Sequence, residues 1–125
     1  MFEKKIENLR FSLIHDPKVM CAAVSVIIFN KSEILLIKRA IIQGDPWSGH
    51  ISFPGGRAEM GDSDNPYFTA IRETEEEIGV ILKRRELIHN FSAMIPEKDF
   101  RGYKLELWPL LFLVENNKRK EINID

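Results

Sequence analysis

The stretch Arg72-Glu73-Thr74-Glu75-Glu76-Glu77-Ile78-Gly79-Val80 decides how this chain is read. It closes a helical pattern that opens at Asn65, which suits an N-cap, and Pro66, which suits the first helical position. Gly79 suits the left-handed position just past the end. At about 100° per residue, Glu76 and Glu77 fall within about 60° of Glu73, while Glu75 lies far round the wheel. Three glutamates therefore share one face, and Tyr67, Ile71 and Ile78 cluster on another that is predicted to enter the core. Like charges three and four residues apart disfavour an isolated helix by about 0.2–0.5 kcal/mol per pair, so the stripe needs cations. Arg72 supplies one, four residues before Glu76. A hard divalent ion such as Mg²⁺ or Mn²⁺, which prefers carboxylate oxygen, would supply the rest. A solvated acidic face is the commoner use of such a run, and the residues upstream shift the balance.

Upstream, Ile51–Phe53 is predicted as a short strand that stops at a Pro54-Gly55-Gly56 turn. The backbone of that turn offers N–H and C=O groups to a phosphate or a metal, and its glycines can also supply positive φ. Gly61-Asp62-Ser63-Asp64 is a second turn cluster before the helix. Further out, Met20–Phe29 is β-branched and apolar enough for a buried strand. Asn30-Lys31-Ser32 turns the chain, and Glu33–Arg39 follows as a second strand. Ala40–His50, with Gly44, Asp45-Pro46 and Ser48-Gly49, is a loop of the kind that binds ligands. At the N-terminus Phe2, Ile6, Leu9 and Leu13 are spaced as an amphipathic helix over Met1–Ile14, predicted to pack on the sheet. Beyond the acidic helix, strands are predicted over Glu86–Met94 and Lys104–Val114, with a polar segment from Pro96 to Gly102 between them. Interleaved strands and helices in 125 residues give an α+β class and one domain over residues 1–125.

Composition narrows the function. Hydrophobic residues at 44% and charged residues at 30% match an ordinary globular protein and argue against disorder or a coiled coil. Eighteen Lys and Arg against nineteen Asp and Glu leave a net charge of −1, without the basic excess of a nucleic-acid footprint. The apolar run from Val19 to Phe29 is far short of the roughly twenty residues a membrane helix needs. Met1–Ile14 does not read as a secretory signal, and the single cysteine, Cys21, excludes an internal disulfide, so a reducing cytoplasm is expected. Cys21 itself is expected to be a small buried side chain.

With these residues in view, the chain resembles the Nudix hydrolases, whose box is written G-x5-E-x7-R-E-U-x-E-E-x-G-U, with U a bulky apolar residue. Arg72 to Val80 fits the second half at every fixed position, with Thr74 in place of the apolar residue. In the first half, Asp62 stands in the place of the glutamate after Gly56, and Gly56 to Arg72 is two residues longer than the pattern. The resemblance implies a Nudix-like α/β/α sandwich with a mixed sheet, and hydrolysis of a nucleoside diphosphate linked to another moiety. It implies that Glu73, Glu76 and Glu77 hold Mg²⁺ or Mn²⁺, aided by a carbonyl of Gly55 or Gly56. Arg72 would orient a glutamate. A carboxylate would take the proton of the attacking water, either a box glutamate or one on a later loop, where Glu97 and Asp99 are the candidates. A pyrophosphate is anionic and resists attack, so cations that neutralise its oxygens are what such a site requires.

Leu35-Leu36-Ile37-Lys38-Arg39-Ala40, then Gly49, then Phe53-Pro54-Gly55-Gly56 is similar to the extra motif of the coenzyme A pyrophosphatase branch, approximately L-L-T-x-R-S-x4-R-x3-G-x3-F-P-G-G. The spacing agrees throughout; Ile37, Ala40 and Asp45 stand where that motif has Thr, Ser and Arg. The implied products are 3′,5′-ADP and 4′-phosphopantetheine. Rival substrates are ADP-ribose, nucleotide sugars and dinucleoside polyphosphates, and a rival class is a nucleotide-binding module without turnover. Arg39 could contact phosphate, and Trp47 and His50 could meet a base or a pantetheine arm, although each also has an ordinary structural use. Phe100 and Tyr103 are read as core residues ahead of pocket residues. Nudix domains usually continue with a further strand and helix after the point where this sequence stops. Ile122 and Ile124 alternate with polar neighbours as if a strand were starting, so a truncated chain, or a homodimer that covers the edge, is expected.

Overall fold

The computed structural model describes residues 6–38, 41, 43, 49–95 and 104–123. In chain order the strands are β1 (Val19–Phe29), β2 (Glu33–Ile34), β3 (Ile37–Lys38), β4 (Ile51–Ser52), β5 (Gly55–Arg57), β6 (Leu87–Asn90) and β7 (Lys104–Val114). The helix α1 (Pro66–Ile78) lies between β5 and β6. The main sheet is mixed: β1 and β7 run parallel along their full lengths, and β2, β5 and β6 join antiparallel, in the order β2-β1-β7-β6 with β5 also on β1. β3 and β4 form a separate two-stranded ribbon. The fold is α+β, as the sequence predicts.

Parallel register puts Cys21, Ala23, Ser25, Ile27 and Phe29 on the same face as Glu106, Trp108, Leu110, Phe112 and Val114. This is the core face, sealed by Tyr67, Ala70 and Ile78 of α1 together with Ile6 and Phe11. Ser25 is fully buried there because Thr74 Oγ1, 2.8 Å away, and the Ala70 carbonyl, 3.4 Å away, satisfy its hydroxyl. Thr74 thus holds an apolar position of the box with its own hydroxyl bonded to the sheet.

Several expectations change. The N-terminal helix is seen only at residues 6–8 and does not run to Ile14. The Phe11 N–H donates to the Asp64 carbonyl, and the Ser12 and Leu13 N–H groups donate to the buried Glu106 carboxylate at 2.8 Å each. The strand from Glu33 splits, because the Leu35 N–H bonds to Ile27 while Ile37 and Lys38 pair with β4; Arg39 lies outside the described residues. Gly55 and Gly56 form strand β5 instead of a turn, and neither has positive φ. A side chain on Gly55 would meet Ala23 O at 2.4 Å, so close approach to β1 is what requires that glycine. No strand begins at Ile122: a 3-10 segment over Asn116–Glu121 leads to Asn123, whose N–H bonds the Ile78 carbonyl at the end of α1, and Ile124 lies outside the described residues. The strand expected over Glu86–Met94 is confined to β6, with a register shift between Leu87 and His89, and Met94 rejoins opposite Leu107. No helix among the described residues is long and apolar enough to cross a membrane.

Candidate active site

Local signals fix the register of α1. Asn65 Oδ1 accepts the Tyr67 N–H at 2.9 Å, while its Nδ2 donates to the Ile6 carbonyl at 2.8 Å. Gly79, at φ 76°, donates its N–H to the Glu75 carbonyl. The stripe turned into the core is Tyr67, Ala70, Thr74 and Ile78; Ile71, expected there, is only partly buried. Ile71 packs on the edge of the core beside half-exposed Phe68, over a shallow groove of about 530 Å³ next to Arg72 and Glu76.

Arg72 is the hub of the acidic face. Its Nε and Nη2 grip the two oxygens of Asp62, each at 2.9 Å, and Nη2 also donates to the Arg57 carbonyl at 2.8 Å. Its Nη1 donates to Glu76 Oε2 at 3.2 Å and stands 3.5 Å from Glu73 Oε1 and 3.6 Å from Glu59 Oε1. Asp62 is 2% exposed and also accepts the Thr69 hydroxyl at 2.8 Å and the Glu59 N–H at 2.9 Å. Burial alone would raise the Asp62 pKa, but the bonds from Arg72, Glu59 and Thr69 outweigh it and hold it below the ordinary value. The same bonds to Asp62 push Arg72 further up.

Glu73 is the most enclosed of the three carboxylates around Nη1, its side chain 17% exposed against 56% for Glu76 and 63% for Glu59. Burial pushes its pKa above the usual range, and Arg72 only partly offsets this. Its carboxylate lies directly on Gly56, where a Cβ would come within 2.4 Å of Oε2. Strand β5 and helix α1 therefore bring a glycine backbone and a box glutamate together. Glu77 is half-buried on α1.

Arg72, Glu73, Glu76 and Gly56 are thus brought together, with Gly55 buried next along β5. His50 is exposed just before β4. Arg39, Trp47, Glu97, Asp99, Phe100 and Tyr103 lie outside the described residues. Among the described residues no three His, Cys, Asp or Glu side chains form a metal-holding group as they stand; Nη1 of Arg72 stands among Glu59, Glu73 and Glu76. The donor chemistry nevertheless fits a hard divalent cation, since carboxylate and carbonyl oxygens are what such an ion takes, and the partly buried Glu73 charge is one a cation would stabilise. Sequence reading gave Asp62 no partner and passed over Glu59 and Thr69. Asp62 standing in the place of the family's glutamate was the available signal.

Similarity to known proteins identifies the family. The family model described as the NUDIX domain matches residues 20–125. An 8-oxo-dGTP diphosphatase of Haemophilus influenzae is 30% identical over 95 residues, covering 74% of this chain and 67% of that protein. An uncharacterized protein of Schizosaccharomyces pombe is 43% identical over 61 residues, 49% of this chain, and the match spans only 18% of its own length. The solved NUDIX domain of Shewanella oneidensis NrtR, complexed with ADP ribose, matches with a TM-score of 0.66 at 16% identity, over 99% of this chain and 76% of that one. That last likeness speaks for the fold alone. The model match over most of the chain and the 30% relative carry the assignment: the chain belongs to the Nudix hydrolase family.

Proposed function

We propose that residues 1–125 act as one Nudix domain that hydrolyses the pyrophosphate of a nucleoside diphosphate derivative with the help of Mg²⁺ or Mn²⁺. The observation that carries this reading is the Glu73 carboxylate seated on Gly56 while Arg72 gathers Glu73 and Glu76. Glu73, Glu76 and Glu77 would hold the cation, with a carbonyl of Gly55 or Gly56. When bound, the ion neutralises phosphate oxygens and lowers the pKa of an attacking water. Arg72, anchored on Asp62, keeps the Glu73 and Glu76 carboxylates together until the cation takes them. A carboxylate takes the proton of the water; Glu73 or Glu76 serves on the helix, and Glu97 or Asp99 is the loop alternative. Arg39, Trp47 and His50 would contact the substrate.

The finer assignment is coenzyme A, cut to 3′,5′-ADP and 4′-phosphopantetheine. It is supported by the spacing from Leu35 through Gly49 to Phe53-Pro54-Gly55-Gly56. A second reading, another nucleoside diphosphate or triphosphate, is favoured by Asp45 standing where that motif carries a phosphate-binding Arg. The Haemophilus relative, named for 8-oxo-dGTP, points the same way. The test is to incubate the purified chain with Mg²⁺ or Mn²⁺ and coenzyme A, ADP-ribose, nucleotide sugars, dinucleoside polyphosphates and 8-oxo-dGTP, and to separate the products. Metal-dependent 3′,5′-ADP from coenzyme A is expected. Cleavage of another compound moves the substrate, and a folded, metal-binding chain that cleaves nothing overturns the hydrolase reading in favour of a binding module.

A further inference from the structure

The Nη1 group of Arg72 has two hydrogens and three carboxylates within 3.6 Å: Glu76, Glu73 and Glu59. Two of these are the glutamates assigned above to the cation. The third, Glu59, stands at a variable position of the box, between β5 and the 3-10 turn over Met60–Asp62. Asp62 fixes both partners in this contact. Its carboxylate grips Nε and Nη2 of Arg72, so the guanidinium cannot follow Glu76 or Glu73 if they turn away. The same carboxylate accepts the Glu59 N–H, which places Glu59 beside the free end of the guanidinium. Thr69, fully buried one turn before Glu73, holds Asp62 from the helix side. An oxygen that ligates a cation is a poorer acceptor for an N–H, so cation binding and Arg72 compete for the same carboxylates.

We propose that Glu59 is a positioning residue that takes over Nη1 of Arg72 and so frees Glu73 and Glu76 for the divalent cation. The inference rests on the metal reading given above. Glu59 acts through Arg72 and is not itself a ligand. Without it, a cation that engaged Glu73 and Glu76 would leave Nη1 without a carboxylate partner, and binding would weaken by that loss. An exposed pair of this kind is worth a few-fold in affinity.

The test is Mn²⁺ titration of the full chain by calorimetry, comparing wild type, Glu59→Gln, Arg72→Lys and the double variant. Lysine keeps a charge for Asp62 but lacks the second arm of the fork that reaches Glu59. Glu59→Gln is expected to weaken Mn²⁺ binding about two- to fivefold in the wild-type background and less than about 1.5-fold in the Arg72→Lys background. Equal affinity of Glu59→Gln and wild type overturns the role of Glu59 and leaves the metal reading intact. An equal loss in both backgrounds makes Glu59 a direct ligand and also overturns it. Absence of Mn²⁺ binding in the wild type removes the metal reading and the inference together. A second readout does not depend on how Arg72→Lys folds: saturating Mg²⁺ must shift the Arg72 guanidinium ¹⁵N resonances in the wild-type chain, and unmoved resonances overturn the exchange.

Discussion

Glu73 carries a largely enclosed charge beside Glu76 and Glu59, and its pKa is raised chiefly by desolvation. A raised carboxyl pKa means that the folded state prefers the neutral form, so the cost to stability grows as pH rises through the native value. Glu73→Gln removes the charge and keeps the shape. It is expected to melt higher than wild type at pH 7, with the gap closing near pH 4, while turnover falls at least about a hundredfold. A lower melting temperature at pH 7 would contradict the account of the burial. The two glycines of β5 give a contrasting pair. In Gly56→Ala the new methyl meets the movable Glu73 carboxylate, so activity should drop with little change in melting temperature. In Gly55→Ala it meets the β1 backbone at Ala23 and Val24, so the fold should lose roughly 1–3 kcal/mol, measured by urea unfolding. The sequence placed these glycines beside the glutamates but assigned them to a turn, because a Pro-Gly-Gly run carries no sign of the strand it pairs with.

At the scale of elements, two buried carboxylates clamp segments that lack regular structure. Asp62 holds the turn before α1, and Glu106 holds residues 12 and 13 through their N–H groups and Trp108 through its indole. In both, burial would raise the pKa, and the bonds received outweigh it and lower it. Their contribution to stability is therefore complete above the unfolded values near pH 4 and is lost as pH falls through the lower native values. Glu106→Gln is expected to destabilise the chain at pH 7 and to flatten the loss of stability as pH falls below the unfolded value of about 4. Urea melts across that range check it; an unchanged acid slope would show that the clamp is not ionised in the fold. The ends of α1 were legible because Asn65, Pro66 and Gly79 act on neighbours a few residues away. The N-terminal helix was read as too long because the competitor for the N–H groups of residues 12 and 13, Glu106, lies more than ninety residues further along the chain.

Across the whole molecule, β1 shows where hydropathy stops being informative. From Met20 to Phe29 nearly every residue is apolar, so the sequence announces a buried strand without saying which face meets the helix. The one polar residue, Ser25, would suggest that odd positions face solvent. The reverse holds: Ser25, Ile27 and Phe29 lie on the core face, and Val24, Val26 and Ile28 on the opposite face are each partly exposed. What lets a serine sit on that face is Thr74 on α1, far along the chain, whose hydroxyl pairs with Ser25. The difference between faces can be measured with one substitution made twice. Ile27 is fully buried and closely packed under α1, so Ile27→Ala leaves a cavity and should cost about 3–4 kcal/mol. Ile28, beside it in sequence and opposite Leu113, already meets solvent, so Ile28→Ala should cost less than half as much. Denaturant midpoints of the two variants decide the matter: equal costs would mean that both faces of the sheet are covered in solution, and the assignment of a single core face would fall.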